Sequence, residues 1–244
     1  MARLSFKRHR HDPAVIRQAV WVYYRFSLSL RDVEDVLAER GIDASYEAIR
    51  NWCRKFGRQI AGNLKRRRPA PSPRWHLDEM VSRIGGRHMY LWRAVDDEGE
   101  VLGTSVERHR DARTATSFLQ KLMRDQEVRP QAIVTDGLGS YVSAVNALGL
   151  HALHSPGRLR ENNRVENSHL PIRKRERHMQ QFKSKPSAQH FLTVHAAVYN
   201  TFNVQRHLAS RATMKVLRNE AHQVWREAPS HDRRRGLYCA SVPA

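Results

Sequence analysis

The sequence predicts an α/β chain: an all-α helix-turn-helix domain at the N-terminus, followed by a mixed β-sheet with flanking helices. Three observations carry this. Apolar residues recur at helical spacing up to about residue 64, and the pattern changes to strand-like runs after residue 74. Between the two lies the basic, proline-rich segment Lys65-Arg66-Arg67-Arg68-Pro69-Ala70-Pro71-Ser72-Pro73-Arg74. Beyond it, Asp78 and Asp136 fall at strand-like runs and Glu166 on a helix-like stretch, seven positions before Arg173.

Taken in order, Asp12-Pro13 suits a helix start, with Asp as cap and Pro in the first turn, and Val15, Ala19, Val20 and Tyr23 follow at helical spacing. Ser29 and Asp32 resemble a capping box opening a second helix, with Val33, Val36 and Leu37 as its apolar stripe and Gly41 as its stop. Asp43 or Ser45 caps a third, in which Ile49, Cys53 and Phe56 share one face while Arg50, Asn51, Arg54 and Lys55 lie largely off it. Two short helices joined by Gly41-Ile42-Asp43-Ala44 read as a helix-turn-helix over residues 1–64, with the basic third helix as its DNA-reading element. Three prolines in five positions make residues 65–74 an extended, semi-rigid linker.

After the linker, Trp75–Ser82 and His88–Val95 read as strands around the turn Gly85-Gly86-Arg87, and Asp96-Asp97-Glu98-Gly99 turns the chain into Val101–Glu107. An amphipathic helix from Ala112 to Asp125, a short buried strand ending at Thr135-Asp136, and a helix over Tyr141–Leu148 follow. Three strands, helix, strand, helix is the element order of a ribonuclease H-like sheet, in which the first and fourth strands are neighbours. That domain spans residues 75–206, and residues 207–244 make a C-terminal helix and a basic tail.

Composition narrows the partner. The net charge of +19 in a chain of ordinary hydrophobic content points to a polyanion, and residues 1–74 carry 17 of the 43 Lys and Arg against 7 of the 24 acidic residues. No apolar run approaches a membrane-spanning length, and the start Met1-Ala2-Arg3-Leu4-Ser5-Phe6 lacks a secretory signal, so the expected location is a reducing cytoplasm. Cys53 and Cys239 have no CxxC spacing, and the 14 histidines include no HExxH pair, which leaves no support for disulfides or a structural zinc. No GxSxG nucleophile elbow occurs.

Side-by-side first and fourth strands would bring Asp78 and Asp136 within one inter-strand spacing. In Arg160–Gln181, Glu166, His169, Leu170 and Arg173 share one helical face, and Val165, Ile172 and Met179 repeat on the next, able to pack on the sheet and tilt Glu166 toward the aspartates. Three clustered carboxylates repel one another unless cations lie between them, and Mg²⁺ is the hard ion that suits carboxylate and phosphate oxygens, with Mn²⁺ as a substitute. Two such ions about 3.5–4 Å apart support in-line displacement at a phosphodiester, with Arg173 reaching a phosphate beside them. Asp96, Asp97 and Glu98 read as turn chemistry, and Glu79, next to Asp78, points to the opposite sheet face and stays outside the ligand set. The residues also admit a helix-turn-helix regulator with a ligand-binding second domain, and a ribonuclease H-like nuclease that does not transpose.

The phrases Arg74-Trp75-His76-Leu77-Asp78-Glu79, Tyr90-Leu91-Trp92-Arg93-Ala94-Val95-Asp96, Thr135-Asp136 and Asn162-Asn163-Arg164-Val165-Glu166-Asn167-Ser168-His169, with Arg173 beyond, resemble bacterial insertion-sequence transposases of the DDE class, most closely the insertion-sequence-six family. The resemblance runs from the helix-turn-helix to about Arg206. It places Asp78, Asp136 and Glu166 on the family's catalytic, metal-holding triad and Arg173 on the basic residue that follows its glutamate by seven. It implies a DNA transposase that binds terminal inverted repeats, frees a 3′-hydroxyl at an element end and transfers it into target DNA as a cointegrate. It implies at least a homodimer on double-stranded DNA, working at the bacterial nucleoid. The tail 229–244, with Arg233-Arg234-Arg235, reads as poorly ordered or DNA-touching.

Overall fold

Helix α1 (Pro13–Arg25) begins where Asp12 Oδ1 accepts the Ala14 N–H at 2.6 Å. In α2 (Leu30–Ala38) both capping-box bonds form: Ser29 Oγ accepts from the Asp32 N–H at 3.1 Å, and Asp32 Oδ2 from the Ser29 N–H at 2.7 Å. Ser45 caps α3 (Tyr46–Arg67). The computed structural model describes residues 4–157, 162–204 and 209–228, so the tail reading at 229–244 lies outside the described residues.

The third helix outruns its expected end. It continues through Lys65, Arg66 and Arg67, whose cations suit a helix C-terminus, and turns extended only at Arg68, where Pro69 disfavours a further helical residue. The segment expected to be an extended linker over 65–74 therefore starts as helix, and its remainder is tied down. Arg68 donates to Val101 O at 3.1 Å and to Gln126 Oε1 at 2.7 Å, and the Ser72 N–H donates to Asp96 Oδ2 at 3.0 Å.

β1 (Arg74–Ile84), β2 (Arg87–Asp96) and β3 (Val101–Glu107) form the expected meander. Gly85 and Gly86, at φ +56° and +78°, make its first turn, which explains why both are glycine. Asp96 Oδ1 accepts the Glu98 and Glu100 N–H groups at the second, so that acid is a turn residue. α4 (Ala112–Gln126), β4 (Ala132–Thr135) and α5 (Gly139–Ala147) follow in the expected order. The strand order is β3-β2-β1-β4-β5, with β4 parallel to β1 and to β5 (His154–Pro156), a three-residue strand too short to leave a sequence pattern. α6 (Asn163–His178), α7 (Lys185–Phe202) and α8 (Arg211–Glu227) complete the chain.

Strand alternation divides the sheet between two cores. Trp75, Leu77, Trp92 and Ala94 face α4 and α5, where they meet Phe118, Leu122, Tyr141 and Val145. Met80, Ile84, Met89 and Leu91 face the other way, into a cluster shared with Ile16, Tyr24, Phe56 and Ile60 of the N-terminal helices and Phe191 and Val198 of α7. The helices before residue 65 thus share a core with the sheet. Arg175 fastens α6 to α1: buried, it lies 4.4 Å from the Tyr23 ring centroid and donates to Phe26 O at 2.6 Å. It is the inward member of a run, Arg173-Lys174-Arg175, that looks uniformly solvated in sequence.

α7 covers the edge strand β3. Asn200 Oδ1 accepts the Val101 N–H at 2.8 Å and its Nδ2 donates to Val101 O at 3.0 Å. Gln189 does the same for the Val106 N–H and Thr104 O, both at 3.0 Å, so amide side chains replace the missing strand. Among the described residues no helix is long and apolar enough to cross a membrane.

His195, buried on α7 between Phe191 and Tyr199, is pushed down to about 3 from 6.5 by burial first, and by Arg93 and Arg175. Its folded pKa lies below its unfolded one, so the stability that its neutral form allows is complete above pH 6.5 and is lost as pH falls toward 3. Urea unfolding is expected to give about 2 kcal/mol less stability at pH 5 than at pH 7.5 from this group alone. His195→Gln should flatten that slope.

Candidate active site

The β1/β4 ladder sets the site. Its parallel register pairs Trp75 with Ile133 and His76 with Val134, and two residues further along each chain come Asp78 and Asp136. β4 ends at Thr135, so beyond His76 the flank of β1 has no strand beside it and both aspartates open onto that gap. Asp136 leads into α5: its Oδ1 accepts the Leu138 N–H at 3.0 Å, and Gly137 takes the turn at φ +80°.

Glu79 takes the sheet face expected for it and still joins the acidic cluster. Its side chain does leave the opposite face from Asp78, toward Tyr141, yet carboxylate oxygens of Asp78, Glu79 and Asp136 all lie within 4.8 Å of one another. The reason is the same gap: where no strand continues beside β1, groups from both faces converge at its margin. Both Glu79 oxygens are also engaged, Oε1 by Arg110 Nε and Oε2 by the Tyr141 hydroxyl at 2.7 Å. Burial pushes the Glu79 carboxyl up, against the Tyr141 bond and the Arg110 charge.

Arg110, from the loop between β3 and α4, bridges the cluster, with Nη2 3.7 Å from Asp136 Oδ2. Sequence reasoning missed it. It stands among Arg108-His109-Arg110-Asp111, and nothing in that charged run marks one member. Tyr141 was also missed, although a polar-tipped aromatic on the buried face of a helix beside Asp136 is a recognisable signal.

α6 lies against β1 and β2, and its apolar stripe packs as expected, with Val165 and Ile172 buried. Its start is tied to β1 by Asn162 Nδ2, which donates to Leu77 O at 3.1 Å. The residue that meets Asp78 is His169, buried, with Nε2 3.2 Å from Asp78 Oδ2; burial lowers its pKa, against the aspartate. Beneath, Arg93, the cross-strand partner of Asp78, is fully buried and donates from Nε to Ser168 Oγ at 2.8 Å.

Glu166 is exposed in the first turn of α6 and is not one of the three converging carboxylates. At 3.6 residues per turn the buried stripe Val165, Ser168, His169, Ile172 and Arg175 leaves Glu166 and Arg173 together on the flank beside His169. Glu166 and Arg173 thus share one flank of α6, and Glu166 lies outside the group of three within 4.8 Å. Arg173 is exposed and lines a groove of about 750 Å³ that also touches Glu79, Tyr90, Arg110 and Arg177.

The helix-turn-helix residues sit apart from this groove on α3. Asn51, Arg54 and Lys55 are exposed, while Arg50 pairs with Glu47 at 3.1 Å and lies over the Tyr46 ring. Lys55 Nζ is 2.9 Å from His9 Nε2, so the N-terminal arm packs along this helix.

Residues 72–205 match the family model described as a DDE domain. Over 131 residues the chain is 30% identical to the transposase for insertion sequence-like element IS431mec of Staphylococcus aureus, a stretch covering 54% of this chain and 58% of that protein. The same figures hold for the transposase for insertion sequence element IS257 in transposon Tn4003 of Staphylococcus aureus. The chain thus spans 58% of the length of these curated relatives. A chain of the simian T-cell lymphotropic virus intasome in complex with PP2A regulatory subunit B56 gamma superposes with a TM-score of 0.43 at 15% identity, covering 70% of this chain and 59% of its own. With more than half of its length matched by the family model, the chain belongs to the DDE-class transposases of the insertion-sequence-six family.

Proposed function

We propose that this protein is a DNA transposase that binds the terminal inverted repeats of its element, cuts at their 3′ ends and joins the freed ends to target DNA, leaving a cointegrate. The observation that supports this most is the convergence of Asp78, Glu79 and Asp136 oxygens within 4.8 Å at the open margin of β1. A hard divalent ion suits the Asp78 and Asp136 carboxylates of that group, and the proposed ions are Mg²⁺, with Mn²⁺ as a substitute. Asp78 and Asp136 would hold them, and Glu166, one turn before His169 on α6, is proposed as the third ligand. Bound there, the ions would supply activation of the attacking oxygen and support for the leaving oxygen.

The chain's own groups do the remaining work. His169 packs on Asp78 and limits the directions its carboxylate can take. Glu79, with Tyr141 behind it, fixes Arg110 instead of serving as a free ligand. Arg110 and Arg173 line one groove, suited to the DNA backbone entering the site. Arg50, Asn51, Arg54 and Lys55 of α3 are proposed to read the element ends, and two ends held together call for at least two copies of the chain.

The test uses the full-length protein and end-labelled DNA ends: cut and joined products should form with Mg²⁺ and vanish with chelator. Products insensitive to chelator would refute the reading. Because the N-terminal helices share a core with the sheet, removing residues 1–64 would disturb the whole fold, so end recognition is better tested on the surface. Asn51→Ala with Arg54→Ala should weaken binding to element ends at least about tenfold while leaving binding to unrelated DNA within about threefold. Equal losses on both would assign α3 to backbone contact only.

A further inference from the structure

Arg110 places a permanent positive charge where the metal reading needs divalent cations. Its Nε is bound by Glu79, its Nη2 lies 3.7 Å from Asp136 Oδ2, and its side chain is 40% exposed, so it can move without breaking a core. Glu79 is buried and doubly engaged, by Arg110 and by Tyr141, so the anchor is firmer than the reach to Asp136. On its outer side Arg110 borders the groove that holds Arg173 and Arg177.

We propose that Arg110 is a resident counter-cation of the carboxylate cluster, which competes with the metal for Asp136 and, once displaced, turns within the groove to contact a DNA phosphate. This rests on the reading of Asp78 and Asp136 as metal holders. Before metal arrives, the guanidinium offsets the repulsion between Asp136 and its neighbours. Once a divalent ion takes Asp136, the two cations repel, and Glu79 keeps Arg110 at the groove with its terminal nitrogens free for a phosphate. Metal loading and DNA capture are thereby coupled.

The experiment is calorimetric titration of the full-length protein with Mn²⁺ alone at pH 7.5, for wild type, Arg110→Gln and Arg110→Lys, with thermal melts to establish that each is folded. Competition predicts binding about three- to tenfold tighter for Arg110→Gln, the size of one charge pair at this distance when it is fully screened by water, and near wild type for Arg110→Lys. Unchanged or weaker binding by Arg110→Gln overturns the proposal while the metal reading stands. Absence of Mn²⁺ binding by wild type overturns both. The phosphate half is read from DNA affinity against salt: Arg110→Gln should lose about one unit of slope in Mn²⁺ and none in chelator. An equal slope change in both conditions contradicts the hand-over.

Discussion

Asp136→Asn is expected to reduce metal-dependent cutting and joining at least about a thousandfold, since the ions' charge stabilisation is worth several kcal/mol and each 1.4 kcal/mol is about tenfold. The substitution is nearly isosteric and the side chain is exposed, so the fold should not change. Asparagine keeps an oxygen able to accept the Leu138 N–H, which preserves the turn into α5. What it loses is the charge beside Asp78. Binding to element ends should remain within about twofold, because α3 lies apart from the cluster. A variant that binds DNA normally and still joins ends at more than about a tenth of the wild-type rate would remove Asp136 from the metal site.

Trp92→Ala should produce the largest loss of stability, about 3–5 kcal/mol, through the cavity left by a fully buried indole. Its ring meets Tyr141 edge-on at 5.4 Å and Phe118 at 6.2 Å, so the void opens directly under the tyrosine that holds Glu79. Thermal melting is expected to fall by roughly 10 °C for a chain of this size. Activity at a permissive temperature should fall as well, because Glu79 and Arg110 lose a fixed support. A loss under about 1 kcal/mol would mean that this face of the sheet is packed far less tightly than its burial implies.

Much of this was legible because the signals are local. Asp12, Ser29 and Ser45 cap helices by bonds that reach only two or three residues, and Gly85-Gly86 announces its turn by composition. The pairing of Asp78 with Asp136 followed from element order, since a sheet of this topology sets its first and fourth strands together. Alternation placed Glu79 on the face opposite Asp78, toward Tyr141, but could not show that its carboxylate also reaches the margin where Asp78 and Asp136 meet. Arg110 and His169 owe their positions to contacts across many residues, which no period records. α7 was missed although Ala188, Phe191, Leu192, Val194, His195 and Val198 fall along one side of the helix, packed between α3 and β3, a stripe that helical spacing could have shown. The burial of Arg175 inside a basic run likewise depends on Tyr23 and Phe26, about 150 residues away.

The proposed holding of metal by Asp78 and Asp136 at a phosphodiester-cutting site is tested by Asp136→Cys, assayed in parallel in Mg²⁺ and Mn²⁺. A thiolate is a poor ligand for hard Mg²⁺, while the transition ion Mn²⁺ tolerates sulfur better. Joining should therefore be lost in Mg²⁺ and recovered at least about tenfold in Mn²⁺, with wild type showing no comparable preference. Activity of the cysteine variant in Mg²⁺ within a few-fold of wild type would contradict metal ligation at Asp136.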